Sequence, residues 1–202
     1  MPSLTALTLT CVTKEPLSNF LQFISRASFP ALIVLVLDLP FLGPAPQGTT
    51  PCATLQPLFK HIGPRLLSLG LRAPYARKEA RLLIPLLKKV QKINLLMGTI
   101  PPNLGKLLPA SVAELHIGVD LQFGSQPQAL VECLDNVLAT RNKKNSLAII
   151  RLASSTPEPF KWCSLGTINP VLAGTLMLRS VWLLAKGIQL QDDSGKWIGQ
   201  LG

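Results

Sequence analysis

The cysteines and histidines are the side chains of this sequence with the most versatile chemistry, but their spacing does not form a catalytic or metal-binding pattern. The four cysteines are Cys11, Cys52, Cys133 and Cys163, so no C-x-x-C pair exists. A zinc site or a thioredoxin-type redox site therefore has no support. Cys11 and Cys133 lie in apolar periodic segments, where cysteine behaves as a small hydrophobic residue. We expect reduced thiols and an intracellular protein, cytoplasmic or nuclear.

Sequence motifs for catalysis or ion binding fail on spacing. Gly98 and Gly105 are separated by six residues, and Leu107 follows Lys106, whereas a P-loop needs four residues and a Ser or Thr after the Lys. The Asp192-Asp193-Ser194-Gly195 segment lacks the ligand spacing of a calcium loop. No nucleophile elbow and no HExxH motif occurs. We therefore predict a non-enzymatic protein with no cofactor and no bound metal.

Charge permits a second interpretation. Twenty Lys and Arg residues against ten Asp and Glu give a net charge of +10, which favours acidic partners such as nucleic acid or acidic lipid. The aromatic residues do not interleave with the basic ones, although proteins that bind single strands use such stacking platforms. Nucleic acid is thus an unlikely partner. The longest apolar run, residues 31–37, is too short for a transmembrane helix, which needs about 20 residues.

A short apolar pattern, apolar-x-x-apolar-x-apolar, recurs along the chain. The copies are Leu4/Leu7/Leu9, Leu32/Leu35/Leu37, Leu66/Leu69/Leu71, Val90/Ile93/Leu95, Val112/Leu115/Ile117, Leu147/Ile150/Leu152 and a weaker Ala185/Ile188/Leu190. Their first positions are 28, 34, 24, 22, 35 and 38 residues apart, which is typical of an irregular leucine-rich repeat array. The last two apolar residues of each copy are two apart and share one face of a strand.

Between the triplets, apolar residues recur at i, i+3, i+4 and i+7, which predicts helices. These segments are 16–26, 54–62, 78–89 with a kink at Pro85, 127–139 and 170–184. The 22-residue interval between the fourth and fifth triplets leaves room only for a short turn at residues 104–108. The Pro/Gly-rich residues 42–51 predict a loop. Residues 191–197 predict a turn that folds back after the last strand. The fold class is therefore α/β: a leucine-rich-repeat-like solenoid of about seven short parallel strands, with helices or turns behind and no N-terminal cap.

Several stretches resemble the leucine-rich-repeat region of fungal, basidiomycete, F-box/LRR-like proteins. They are residues 4–9 (LTALTL), 25–37 (SRASFPALIVLVL), 63–75 (GPRLLSLGLRAPY), 115–140 (LHIGVDLQFGSQPQALVECLDNVLAT) and 187–197 (GIQLQDDSGKW). The resemblance covers nearly the whole chain, residues 1–202, as one irregular domain. It implies a protein-interaction module that selects a ubiquitin-ligase substrate. The first repeat begins at residue 4, so no F-box precedes it here, and we expect a fragment of a longer protein. A free-standing repeat scaffold without a ubiquitin link is the alternative.

Residues that alternate with the buried ones must point to the other face of the sheet, which is the usual binding face of a solenoid. This face is predicted to be mixed in charge and partly apolar, as suits a protein partner. His116 and Glu114 are expected to form a neighbouring pair on it. The predicted contact residues are Asp38, Arg72, Lys92, Asn94, Glu114, His116, Arg151 and Gln189.

Overall fold

A computed structural model describes residues 3–10, 28–38, 51–72, 77–96, 100–119, 126–141, 145–154 and 159–198. These residues form one sheet of seven parallel strands whose spatial order is the chain order. The strands are β1 (Ala6–Thr10), β2 (Val34–Asp38), β3 (Ser68–Arg72), β4 (Lys92–Leu96), β5 (Glu114–Val119), β6 (Ile149–Ser154) and β7 (Gln189–Gln191). The predicted α/β class and the seven parallel strands are confirmed.

Six α-helices occur among the described residues, in the connections between the strands. They are α1 (Pro51–Ile62), α2 (Arg77–Leu83), α3 (Leu104–Leu107), α4 (Gln126–Thr140), α5 (Trp162–Ile168) and α6 (Pro170–Ala185). A single 3-10 turn, Ile84–Leu86, follows α2. None of these helices has both the length and the apolar character needed to cross a membrane.

Aliphatic side chains hold the sheet together because the strand register aligns the triplets. The second residues of the five triplets on β2 to β6 lie side by side with Leu190 on β7; they are Leu35, Leu69, Ile93, Leu115 and Ile150. All six are at most 1% exposed and belong to the main hydrophobic core. Burial of each contributes roughly 1.5–3 kcal/mol relative to exposure. A single strand cannot bury its apolar face by itself, so the strands are stable only when they are stacked side by side.

The seventh triplet was predicted in the wrong register. Leu190, expected as its last residue, pairs with Ile150 and therefore occupies the middle position. Two residues further on stands Asp192, a buried carboxylate, where the other strands carry an aliphatic side chain. Ile188 is buried too, but Ala185 is an exposed residue at the end of α6. Because Asp192 is polar, the search for apolar spacing placed this triplet two residues too early.

Three of the helix predictions are confirmed, and the prediction over 78–89 is confirmed only for residues 78–86, because residues 87–89 are not helical. Residues 54–62, 127–139 and 170–184 lie within α1, α4 and α6, and the chain leaves the α-helix at Ile84, next to Pro85. Leu82, predicted on the packed face of its helix, is instead 44% exposed. Helix α5 was not predicted. The predicted helix over 16–26 and residues 42–50 of the predicted loop lie outside the described residues, and residue 51 begins α1.

Two aspartates fix the turn after β7. Asp192 Oδ1 accepts hydrogen bonds from the Ser194 N–H (2.9 Å), the Ser194 hydroxyl (2.7 Å) and the Lys196 N–H (3.0 Å). Asp193 Oδ2 accepts from the backbone of Ser154 (2.9 Å) and of Phe160 (2.6 Å). The turn then returns to the strand, since Gln191 and Trp197 form an antiparallel bridge. The predicted fold-back after the last strand is confirmed.

Candidate binding face of the sheet

The residues that alternate with the buried ones form three rows across the strands, which we call the polar face. The first row runs Ala6, Val34, Ser68, Lys92, Glu114, Ile149 and Gln189. The second runs Thr8, Val36, Gly70, Asn94, His116, Arg151 and Gln191. The third joins Thr10, Asp38 and Arg72, and then Leu96, Gly118 and Ala153. All eight predicted contact residues therefore lie in these rows.

Glu114 is shared between two neighbours. Its Oε2 lies 3.4 Å from Lys92 Nζ on the adjacent strand and 3.3 Å from His116 Nε2 on its own strand. Partial burial acts to raise the pKa of Glu114, but the Lys92 ammonium and the hydrogen bonds from Lys92 and His116 outweigh it and lower the pKa below 4.5. Glu114 is thus ionised at neutral pH. The predicted pair of His116 with Glu114 is confirmed.

His116 is the least exposed of the polar-face groups in an ion pair, at 12% of its side chain. Burial, followed by the positive charges of Lys92 and Arg151, lowers its pKa below 6.5, although Glu114 acts in the opposite direction. A neutral imidazole therefore lies between a carboxylate and a guanidinium at neutral pH. Because its Nε2–H donates to the Glu114 carboxylate, its Nδ1 can accept one hydrogen bond from a partner without adding charge.

Arg151 differs from the other cations of the polar face. Its Nη2 donates to Gln191 Oε1 (3.0 Å), and Gln191 Nε2 in turn donates to Gln189 Oε1 (3.0 Å). Its Nε is buried and has no hydrogen-bond partner among the described residues. Gly195, at φ 79°, belongs to the turn after β7, and a Cβ there would come 3.5 Å from Arg151 Nη2. The turn therefore borders the face beside Arg151.

The third row contains an exposed ion pair between β2 and β3. Asp38 Oδ2 and Arg72 Nη1 are 3.8 Å apart, with 30% and 46% of their side chains exposed. A pair of this kind is worth about 0–1 kcal/mol, so it offers charge to a partner without contributing much stability. Further along the row, Leu96 leans over Gly118, where a Cβ would approach Leu96 Cδ2 to 2.7 Å.

The polar face is thus divided along the sheet. Val34, Val36 and Gly70 form a small apolar area on β2 and β3, and the Asp38–Arg72 ion pair lies at the ends of the same two strands. The other ionic and amide groups lie on β4 to β7. The sequence predicted this alternation because strand geometry dictates it. It missed the glycines: a Cβ at Gly70 would come 3.1 Å from Val36 Cγ1, so Gly70 leaves room for the valine on the next strand. It predicted the turn over residues 191–197 but not that this turn borders the face beside Arg151, since no local motif links the turn to the face.

The described residues contain no group of three or more His, Cys, Asp or Glu side chains placed to hold a metal ion. The polar face offers charge pairs, amide groups and apolar contacts on one sheet surface. These groups suit recognition of an extended or flat polypeptide surface.

No protein-family model, curated protein or solved structure matches this chain. The fold and the polar face together define an α/β protein with a sheet of seven parallel strands and a polar, partly exposed second face.

Proposed function

We propose that this chain is a non-enzymatic protein-interaction module that binds a segment of a partner protein on the polar face. Its architecture would then be a leucine-rich-repeat-like solenoid, similar to the substrate-recognition repeats of F-box/LRR-like ubiquitin-ligase adaptors. The observation that carries the proposal is the continuous second row, from Thr8 to Gln191, in which all seven strands contribute one residue at the same level. Such a row presents consecutive contact positions to one bound segment.

The chemistry of the face also supports a protein partner. Arg72 pairs with Asp38 and Lys92 with Glu114, and Arg151 adds one further positive charge. The polar face is thus nearly balanced, although the whole chain carries +10. Groups that bind a nucleic-acid backbone are more uniformly basic. A combination of an apolar area with paired charges is typical of protein interfaces, where charge complementarity selects the partner.

The test is a selection of peptides from a random display library on the intact chain, followed by affinity measurements on variants. We expect the double variant Arg72→Glu/Arg151→Glu to weaken the selected peptides at least tenfold. The matched control is Lys60→Glu/Lys186→Glu, which makes the same charge change at exposed positions in α1 and after α6. Thermal unfolding verifies that each variant is folded, and the milder Arg151→Gln replaces the double variant if it is not.

Equal loss of affinity in both double variants would show that net charge alone matters, and would refute the polar face as the binding site. The rival interpretation, a basic surface for nucleic acid, predicts duplex DNA binding that falls steeply with salt. Binding of that kind, with no peptide selected, would replace the proposal.

A further inference from the structure

Helix α6 presents an apolar surface on the outside of the molecule. Seven of the nine exposed large hydrophobic side chains among the described residues lie on α5 and α6, and the other two are Ile33 and Leu82. The seven are 40–80% exposed, and we call them the α6 patch: Ile168, Val171, Met177, Leu178, Val181, Trp182 and Leu184.

The composition of α6 is that of a buried helix. Leu172, Leu176 and Leu183 face the core, but the other side of the helix is also largely apolar. Arg179 is the only charged residue among the 16 residues of α6. A helix that is hydrophobic on all sides is normally covered by other protein or by lipid. On the outer side, a Cβ at Gly174 would meet no heavy atom within 4 Å. Among the described residues, therefore, no element covers this side of α6.

We propose that the α6 patch is a self-association surface, covered by the same patch of a second copy of this chain. The patch exposes about 600 Å² if each side chain offers about 150–200 Å² when fully exposed, which lies at the upper end of the largest patches on ordinary monomers. A stable dimer buries about 800 Å² per partner, of which about 500–550 Å² is apolar. The patch is thus large enough to supply the apolar part of a two-fold interface.

The charges around the patch fit a second copy better than a membrane. Arg179 is held by a bidentate ion pair with Asp135 on α4, at 3.1 Å from Nε and 3.0 Å from Nη2, and its guanidinium lies 5.3 Å from the Trp182 ring centroid. With Glu132 on α4 and Lys186 at the C-cap of α6, α4 and α6 together with this cap carry two acidic and two basic residues. Helices that lie on membranes carry a basic polar face, which α6 lacks. Because these charges balance, two copies can meet here despite the net charge of +10.

The test measures oligomeric state by light scattering and sedimentation equilibrium up to about 100 μM, the range in which a weak dimer is still populated. Leu178→Glu places a charge in the patch, and Leu82→Glu is the matched control, because the two leucines are 46% and 44% exposed. We expect the wild-type chain and Leu82→Glu to dimerise and Leu178→Glu to raise the dissociation constant at least tenfold. Val181→Glu, at a 58% exposed position, replaces Leu178→Glu if that variant does not fold.

A monomeric wild-type chain over the whole range would overturn the proposal, as would a Leu178→Glu variant that dimerises as well as Leu82→Glu. Sedimentation of a monomeric wild-type chain with phosphatidylcholine/phosphatidylserine vesicles, lost in Leu178→Glu, would show that lipid covers the patch instead. The result is independent of peptide binding on the polar face, so either proposal can fail alone.

Discussion

Gly105 in α3 lies where two helices approach each other most closely. Its N–H donates to Asn136 Oδ1 on α4 at 2.9 Å. A Cβ added at Gly105 would fall closest to Thr140 Oγ1, and would also lie 2.8 Å from the Asn136 carbonyl oxygen and 2.9 Å from Val137 Cα. Two of these three atoms are backbone, so α3 itself must move away from α4.

We therefore predict that Gly105→Ala destabilises the protein by about 1–3 kcal/mol. Overpacking destabilises by about 1–3 kcal/mol, and loss of the hydrogen bond from the Gly105 N–H to Asn136 by about 1 kcal/mol. The higher helix propensity of alanine offsets less than about 1 kcal/mol of this loss. The control is Gly166→Ala in α5, where a Cβ meets nothing within 4 Å and the same change should stabilise by about 0.5–1 kcal/mol.

Equilibrium urea unfolding measures both variants, and the midpoints should move in opposite directions. A Gly105→Ala midpoint equal to or above that of the wild-type chain would refute the close packing of α3 on α4.

Three further predictions concern single groups. An NMR titration of His116 should give a pKa below 6.5, and Lys92→Gln should raise that pKa. The free energy of unfolding should fall as the pH drops from 6.5 through the lower folded-state pKa, because the unfolded chain binds the proton more tightly. A His116 pKa above 6.5 would contradict this prediction. Burial raises the pKa of the Cys133 thiol to about 12. Iodoacetamide should therefore label the exposed Cys163 in the folded protein and leave Cys133 unmodified, as measured by peptide mass spectrometry. Equal labelling of the two cysteines would contradict the burial of Cys133. Asp192→Asn should lower the free energy of unfolding by about 2–4 kcal/mol in urea, since hydrogen bonds to a buried carboxylate are worth about 1.5–3 kcal/mol each, and a loss below about 0.5 kcal/mol would be inconsistent with its hydrogen bonds.

Strand positions were predictable from the sequence because they depend on a local rule. A parallel strand that buries one face must alternate, and six triplets in register leave no freedom about which residues lie on the polar face. Asn94 and Arg151, for example, follow directly from Ile93 and Ile150. The register of the seventh triplet was wrong because its third core position is Asp192, whose stabilisation comes from hydrogen bonds within its turn and not from apolar contact.

The exposure of α6 could not be predicted for a different reason. Its periodicity is that of a buried helix, and the sequence alone does not reveal which of its apolar sides lacks a neighbour within the chain. The same holds for Leu82, which follows the helical pattern of Leu83 yet points away from the core. Tertiary position, and not local pattern, decides these residues.

The most direct test of the polar face is NMR mapping of a display-selected peptide on the isotope-labelled chain. We predict that the side-chain signals of Asn94, Arg151 and Gln191 shift together on titration, because these residues lie in one row. Shifts confined to α1, α4 and α6, with these three signals unchanged, would contradict recognition by the sheet.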